Sequence, residues 1–175
     1  MSNNTLRAAV ANVKLAAFDV DGIMTDGSLY FLNDGSEIKS FNTLDGLGLK
    51  MLQQQGVETA IITGRSSSQV ERRAKSLGVS YLYQGRDDKL VALEELCSTH
   101  NYSLSQVAYI GDDLPDLAAI KAAAFGATVP NGHPLVIGQA DWCTSRQGGS
   151  GAAREFCEAI LDAKGLLQQS YTEFE

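Results

Sequence analysis

Asp19 and Asp21 stand two residues apart directly behind an apolar run, 13–18. Thr63 closes a second apolar run, and Lys89 opens a helical pattern. Asp112 and Asp113 follow a third run, with Asp116 about one helical turn later. If a fold gathers these acids, like charges crowd into one crevice, which is costly without a cation. The donors are hard oxygens and the chain has only 2 histidines, which points to Mg²⁺ rather than zinc. The chemistry open to such a set is phosphoryl transfer. A carboxylate can attack phosphorus and form an acyl phosphate. A cation, a lysine and a threonine hydroxyl can position and neutralise the equatorial oxygens. A second carboxylate nearby can give a proton to the leaving oxygen and later take one from water.

Each residue alone has an ordinary reading. An Asp-x-Asp pair is usually a solvated turn, Thr63 a helix N-cap and Lys89 a surface charge. Asp113 suits a helix start, where the dipole favours an acid. His100 and His133 read as structural or exposed, and Trp142 with the Phe/Tyr set as core or interface. The ordered combination behind apolar runs is what separates the acids from these alternatives.

The elements that must position this set follow a repeating pattern. Apolar runs at 13–18, 57–63, 79–83, 107–110 and 125–129 predict strands, each followed by a helical or loop segment. Helices are expected from Leu47 to a stop at Gly56, over 66–77 closed by Gly78, over 87–100, over 114–123 with Pro115 in the first turn, and over 152–167. Asp34-Gly35 between 29–32 and 38–41 predicts a β-hairpin. Gly148 to Gly151 predicts a flexible loop, and 168–175 a mobile tail. Strand-helix alternation predicts an α/β, Rossmann-like parallel sheet with helices on both faces and a projecting hairpin. In such sheets function gathers at the carboxyl ends of strands, where the candidates stand.

The 175 residues suit a single domain, 1–167, with the hairpin at about 28–42. A net charge of −7 disfavours a broad nucleic-acid face or an anionic lipid surface, so no nucleic acid and no membrane are expected as partners. An anionic substrate must then meet a local cation. The 3 cysteines lack CxxC spacing, which predicts buried thiols in a reducing cytoplasm. No apolar run approaches a membrane span, and residues 1–14 do not read as a signal peptide.

Asp19-Val20-Asp21-Gly22-Ile23-Met24-Thr25-Asp26-Gly27 resembles the DxDGxxTDG signature of haloacid-dehalogenase-type phosphatases. Thr63, Lys89 and Gly111-Asp112-Asp113 match that superfamily's later motifs in order. The resemblance implies Asp19 as nucleophile, Asp21 as general acid and base, and Thr63 and Lys89 as phosphate holders. It implies Mg²⁺ held by the Asp19 carboxylate, the Asp21 carbonyl and Asp112, with Asp116 orienting a metal-bound water and Asp113 beside it.

The segments Phe41-Asn42 with Asp45-Gly46, Ile61 to Arg65, Tyr83-Gln84-Gly85, Gly111 to Leu114 and Gly148 to Glu155 together resemble the family of 3-deoxy-D-manno-octulosonate-8-phosphate phosphatases. That resemblance implies a small anionic sugar-acid phosphate as substrate, in lipopolysaccharide sugar synthesis. Arg65 and Arg73 match positions associated with substrate binding, and Gly64 lies between Thr63 and Arg65. Neither the gap from Asp21 to Thr63 nor that from Lys89 to Asp112 can hold a cap domain. The resemblance therefore implies a homotetramer built through the hairpin, with Leu29, Tyr30, Phe31 and Ile38 as interface. Alternatives are a nonulosonic acid 9-phosphate phosphatase, a phospho-receiver, and a non-catalytic regulatory oligomerisation module. In a receiver the phosphorylated Asp follows the third strand, whereas here the acidic pair follows the first.

Overall fold

The computed structural model describes residues 4–172 and Phe174. Helix α1 (Asn4–Ala11) leads into strand β1 (Leu15–Phe18). The hairpin strands β2 (Tyr30–Phe31) and β3 (Glu37–Ile38) come next, then α2 (Thr43–Gln54), β4 (Glu58–Ile62), α3 (Ser68–Leu77), β5 (Tyr81–Tyr83) and α4 (Lys89–His100). The chain continues through β6 (Val107–Ile110), α5 (Leu117–Ala122), β7 (Phe125–Thr128), α6 (Pro134–Ile137), β8 (Trp142–Cys143), α7 (Ala152–Ala163) and α8 (Leu167–Thr172).

The main sheet has the order β5-β4-β1-β6-β7-β8, and every pair in it is parallel. Parallel strands covered on both faces read as continuous apolar runs, as 13–18 and 107–110 do. Side chains alternate across the sheet. Ala16 and Phe18 join the core under α2, α3 and α7, while Leu15 and Ala17 join the core under α4, α5 and α6. Phe18 meets Phe156 edge to face at 5.5 Å, an arrangement worth about 0.5–1.5 kcal/mol beyond area burial.

Local signals set the helix ends. The Asn42 side chain accepts the Leu44 N–H at the start of α2, and Ser67 caps α3. Gly78 at φ 69° ends α3 in the left-handed conformation that glycine adopts without strain. The expected helix over 114–123 begins as a 3-10 turn, Leu114–Asp116, because Asp113 and Asp116 cap each other's backbone there. The helix expected over 152–167 stops at Ala163, and Gly165 at φ 72° turns the chain. Part of the segment read as a mobile tail is helix α8, with Ser170 buried; Glu173 and Glu175 lie outside the described residues.

From β1 the chain builds outward to β4 and β5, then returns to place β6, β7 and β8 on the other side. The order reverses between β1 and β6, and the crevice at their carboxyl ends is the position such sheets use for ligands. The small hairpin pairs Tyr30 with Ile38 and Phe31 with Glu37. Among the described residues nothing forms a cap domain, and no helix is long and apolar enough to cross a membrane.

Candidate active site

Asp19 is the residue after β1, and its N–H donates to the Ile110 carbonyl of β6 at 3.0 Å. Beyond it, the Val20 carbonyl accepts the N–H groups of Met24 and Thr25 at 2.9 and 3.0 Å, which winds the Asp-Val-Asp-Gly segment into a tight turn. Gly22 sits at φ 97°, and a Cβ there would lie 2.1 Å from Oδ2 of Asp112. Gly22 is thus required twice, by the backbone conformation and by the approach of the acid from β6. The loop over 148–151 packs on this turn, with the Gly149 N–H donating to the Ile23 carbonyl at 2.9 Å.

Lys89, the first residue of α4, reaches back under the sheet end. Its ammonium lies 2.8 Å from Oδ1 of Asp19 and 2.7 Å from Oδ1 of Asp116. Tyr109, fully buried on β6, donates its hydroxyl to the same Asp116 oxygen at 2.8 Å. The other Asp116 oxygen accepts the Asp113 N–H at 3.2 Å. Both Asp116 oxygens therefore have protein partners, which suits a residue that orients its neighbours. A Cβ on Gly111 would fall 2.3 Å from the Asp116 carboxyl carbon, so that glycine clears the space Asp116 needs.

Carboxylate oxygens of Asp19, Asp112 and Asp116 come within 4.8 Å of one another. Burial pushes the Asp19 carboxyl up, and the Asp116 charge adds to it, against the pull of Lys89. Asp112 is pushed up to about 6 for the same two leading reasons. Burial alone would lower the Lys89 ammonium, but the Asp19 and Asp116 carboxylates outweigh it and hold it above its ordinary value. One ammonium does not neutralise three carboxylates. This all-oxygen donor set fits a hard divalent cation, whose charge would hold Asp19 and Asp112 ionised.

A cleft of about 290 Å³ opens over these groups. Of the residues expected from sequence, it brings together Asp19, Asp21, Thr63, Gly64, Arg65, Lys89, Asp112, Asp113 and Asp116. Thr63 is buried, with its N–H on the Tyr83 carbonyl at 2.9 Å. Asp113 turns a carboxylate oxygen to the Leu114 N–H at 2.8 Å, the helix-start role its position allows.

Arg73 does not join the cleft. Its guanidinium donates to the Asn42 carbonyl at 3.2 Å and lies over the Phe41 ring, 5.9 Å from the centroid. In this chain Arg73 braces the start of α2. His133 accepts the Leu135 N–H at the start of α6, and His100 stacks on Tyr81, so both histidines are structural.

Sequence reasoning missed Tyr109, Lys39 and Asp87, the last of which also lines the cleft. Tyr109 carries a usable signal, since a tyrosine in a fully buried strand needs a partner for its hydroxyl. Lys39 has none, because a lysine beside a hairpin turn is usually solvated. Its side chain is nonetheless 1% exposed, paired with Asp21 and, at 3.2 Å, with Glu37.

Residues 79–156 match the haloacid dehalogenase-like hydrolase family model. The 3-deoxy-D-manno-octulosonate 8-phosphate phosphatase KdsC of Yersinia pestis is 45% identical over 158 residues, 90% of this chain and 84% of that protein. A structure of the same enzyme from Moraxella catarrhalis, in complex with magnesium ion, phosphate ion and KDO, is 48% identical with a TM-score of 0.96 over 98% of this chain and 99% of that one. A probable yrbI family phosphatase from Pseudomonas syringae pv. phaseolica is 53% identical, also at TM-score 0.96, over 98% of both chains. The chain described here belongs to the haloacid dehalogenase-like hydrolases and, among them, to the 3-deoxy-D-manno-octulosonate 8-phosphate phosphatase family.

Proposed function

We infer that this chain hydrolyses the phosphomonoester of 3-deoxy-D-manno-octulosonate 8-phosphate to the free sugar acid and inorganic phosphate. The observation that carries the reading is the Lys89 ammonium set between Asp19 and Asp116, beside Asp112 at the reversal of strand order. Family membership narrows the substrate to a sugar-acid phosphate.

Asp19 attacks phosphorus in line. A bond forms from its carboxylate to phosphorus as the ester P–O bond breaks, and Asp21 gives a proton to the leaving oxygen. Asp21 then takes a proton from water, whose oxygen adds to phosphorus while the bond to Asp19 breaks and phosphate leaves. Mg²⁺, held by the Asp19 carboxylate, the Asp21 carbonyl and Asp112, would supply charge neutralisation at the phosphoryl oxygens. Lys89 and the Thr63 hydroxyl hold those oxygens, Asp116 and Asp113 keep Lys89 and the loop in place, and Arg65, next to Gly64, meets the substrate carboxylate.

The working enzyme in this reading is a single domain over 1–167, a homotetramer in the cytoplasm. Support for assembly comes from the hairpin, where Leu29, Tyr30, Phe31 and Ile38 are 44, 50, 64 and 49% exposed. Two-residue strands with apolar side chains in water are marginal alone. Arg73, placed away from its own cleft, keeps a substrate role only if it serves a neighbouring subunit.

The test is phosphate release with Mg²⁺ from the octulosonate 8-phosphate, a nonulosonic acid 9-phosphate, simple sugar phosphates and an aryl phosphate. Preference for the octulosonate is expected. Preference for the nonulosonate would keep the chemistry and change the substrate. A lasting aspartyl-phosphate without turnover would favour a phospho-receiver, and no reaction at all would favour a regulatory module.

A further inference from the structure

The polar edge of the hairpin is folded back over the cleft of its own chain. Lys39 pairs with Oδ1 of Asp21 and lies 3.2 Å from Oε1 of Glu37. The other Glu37 oxygen accepts from Arg65 at 2.7 Å, and the Glu37 carbonyl accepts from Gln69 of α3 at 2.6 Å. The Thr25 hydroxyl also reaches Oδ1 of Asp21, at 3.5 Å. Oδ2 of Asp21 has no hydrogen bond among the described residues, and Arg65 Nε lies 3.8 Å from it. The two oxygens of one carboxylate are therefore unlike. One is held from two sides, and the other has no hydrogen bond on a residue that lines the cleft.

We propose that Lys39 is a positioning residue for the hydrolysis, fixing Asp21 through Oδ1 so that Oδ2 is aimed at the leaving oxygen. The inference rests on the reading of Asp21 as the proton-handling group. A proton donor works only when held within hydrogen-bond reach of its target, and a misplacement of ~1 Å can cost about 100-fold in rate. Glu37 and Gln69 keep Lys39 from swinging into water, so the register of the hairpin sets the aim of Asp21.

The experiment compares Lys39→Met, Lys39→Arg, Asp21→Asn and the Lys39→Met/Asp21→Asn double variant with the parent, with matched thermal melts. Two substrates are used: the octulosonate phosphate, whose alkoxide leaving group needs a proton, and 4-nitrophenyl phosphate, whose leaving group does not. Lys39→Met is expected to lose about 10- to 100-fold in kcat/KM on the sugar phosphate and less than about threefold in kcat/KM on the aryl phosphate, because kcat/KM covers the steps through loss of the leaving group and not the later attack of water, which both substrates share. Lys39→Arg should recover most of the loss, and the double variant should be no slower than Asp21→Asn alone. Equal losses on both substrates, or a double variant slowed by the product of the two single effects, would overturn the proposal. Asp21→Asn impaired beside a Lys39→Met variant at the parental rate would overturn it alone. Asp21→Asn at full turnover would sink the functional reading and this inference with it.

Discussion

Lys89 holds its ammonium 2.8 Å from Oδ1 of Asp19, and both side chains are 6% exposed. The same ammonium serves Asp116, so one cation supports two buried carboxylates. Lys89→Met keeps the length of the side chain and removes that charge. Breaking a buried pair from one side costs about 3–5 kcal/mol, since the other charge is left unpaired. The variant should melt well below the parent in chelator and recover much of the difference with Mg²⁺, which supplies positive charge to the same carboxylates. Its kcat should fall about 100- to 1,000-fold, the usual loss when a positioned electrostatic group is removed. Parental turnover by Lys89→Met would exclude Lys89 as a phosphate holder.

Gly22→Ala tests the cation site without altering any ligand. The new Cβ would meet Oδ2 of Asp112 at 2.1 Å, on a backbone already at φ 97°. Asp112 must swing away, because the turn is pinned by the Val20 carbonyl and by Gly149. Changes that disturb ligand orientation commonly weaken metal binding by about 10- to 100-fold. Calorimetric titration with Mg²⁺ should show at least that loss. Unchanged affinity would mean that Asp112 does not hold the ion.

How much of this was legible in sequence depended on the kind of residue. The parallel sheet and both core faces followed from apolar runs such as 107–110, and the acids at the strand ends followed from where those runs stop. Gly56, Gly78 and Asp34-Gly35 marked turns that the structure contains. Short elements escaped. The helix α6 has 4 residues and β8 has 2, too few for a period to register. Helix α1 passed unread, although Val10 buries itself in the core and Arg7 pairs with Asp162 of α7 at 2.7 Å. Arg73 lies within α3 while Arg65 precedes the start of that helix at Ser68, so their spacing alone does not place both on one cleft. Asp45 shows the remaining limit. It is buried in α2 and accepts the Arg154 N–H at 2.9 Å, tying α2 to the start of α7 across more than half the chain. No local pattern announces a contact of that range.

Stability of the metal-free protein should fall as pH rises through the range set by Asp112. Its folded carboxyl titrates near 6, raised from 3.8 by burial and by Asp116. A raised folded pKa means that the folded state binds the proton more tightly than the unfolded one. The associated stability is present below about 4 and is lost as pH climbs to about 6. The gap corresponds to ~3 kcal/mol, an upper figure given that the site is partly open to water. Asp19, raised in the same direction, adds to the trend. Mg²⁺ favours the ionised acids, so the melting temperature it adds should be larger at pH 7.5 than at pH 5. A Mg²⁺ effect independent of pH would argue against binding through these two acids.

Arg65 offers the test of substrate choice. Its side chain is 44% exposed and contacts Glu37 at 2.7 Å, so the pair adds little to stability and the guanidinium is available to an incoming carboxylate. Arg65→Met should leave the melting temperature within a few degrees of the parent. On the octulosonate 8-phosphate, KM should rise about 10- to 100-fold, the equivalent of one charge-assisted contact. An aryl phosphate carries no carboxylate for Arg65 to meet, so its KM should move less than about threefold. The split matters more than either loss. If both substrates weaken equally, Arg65 acts on the phosphate or on the shape of the loop, and recognition of the sugar acid must lie with another cation.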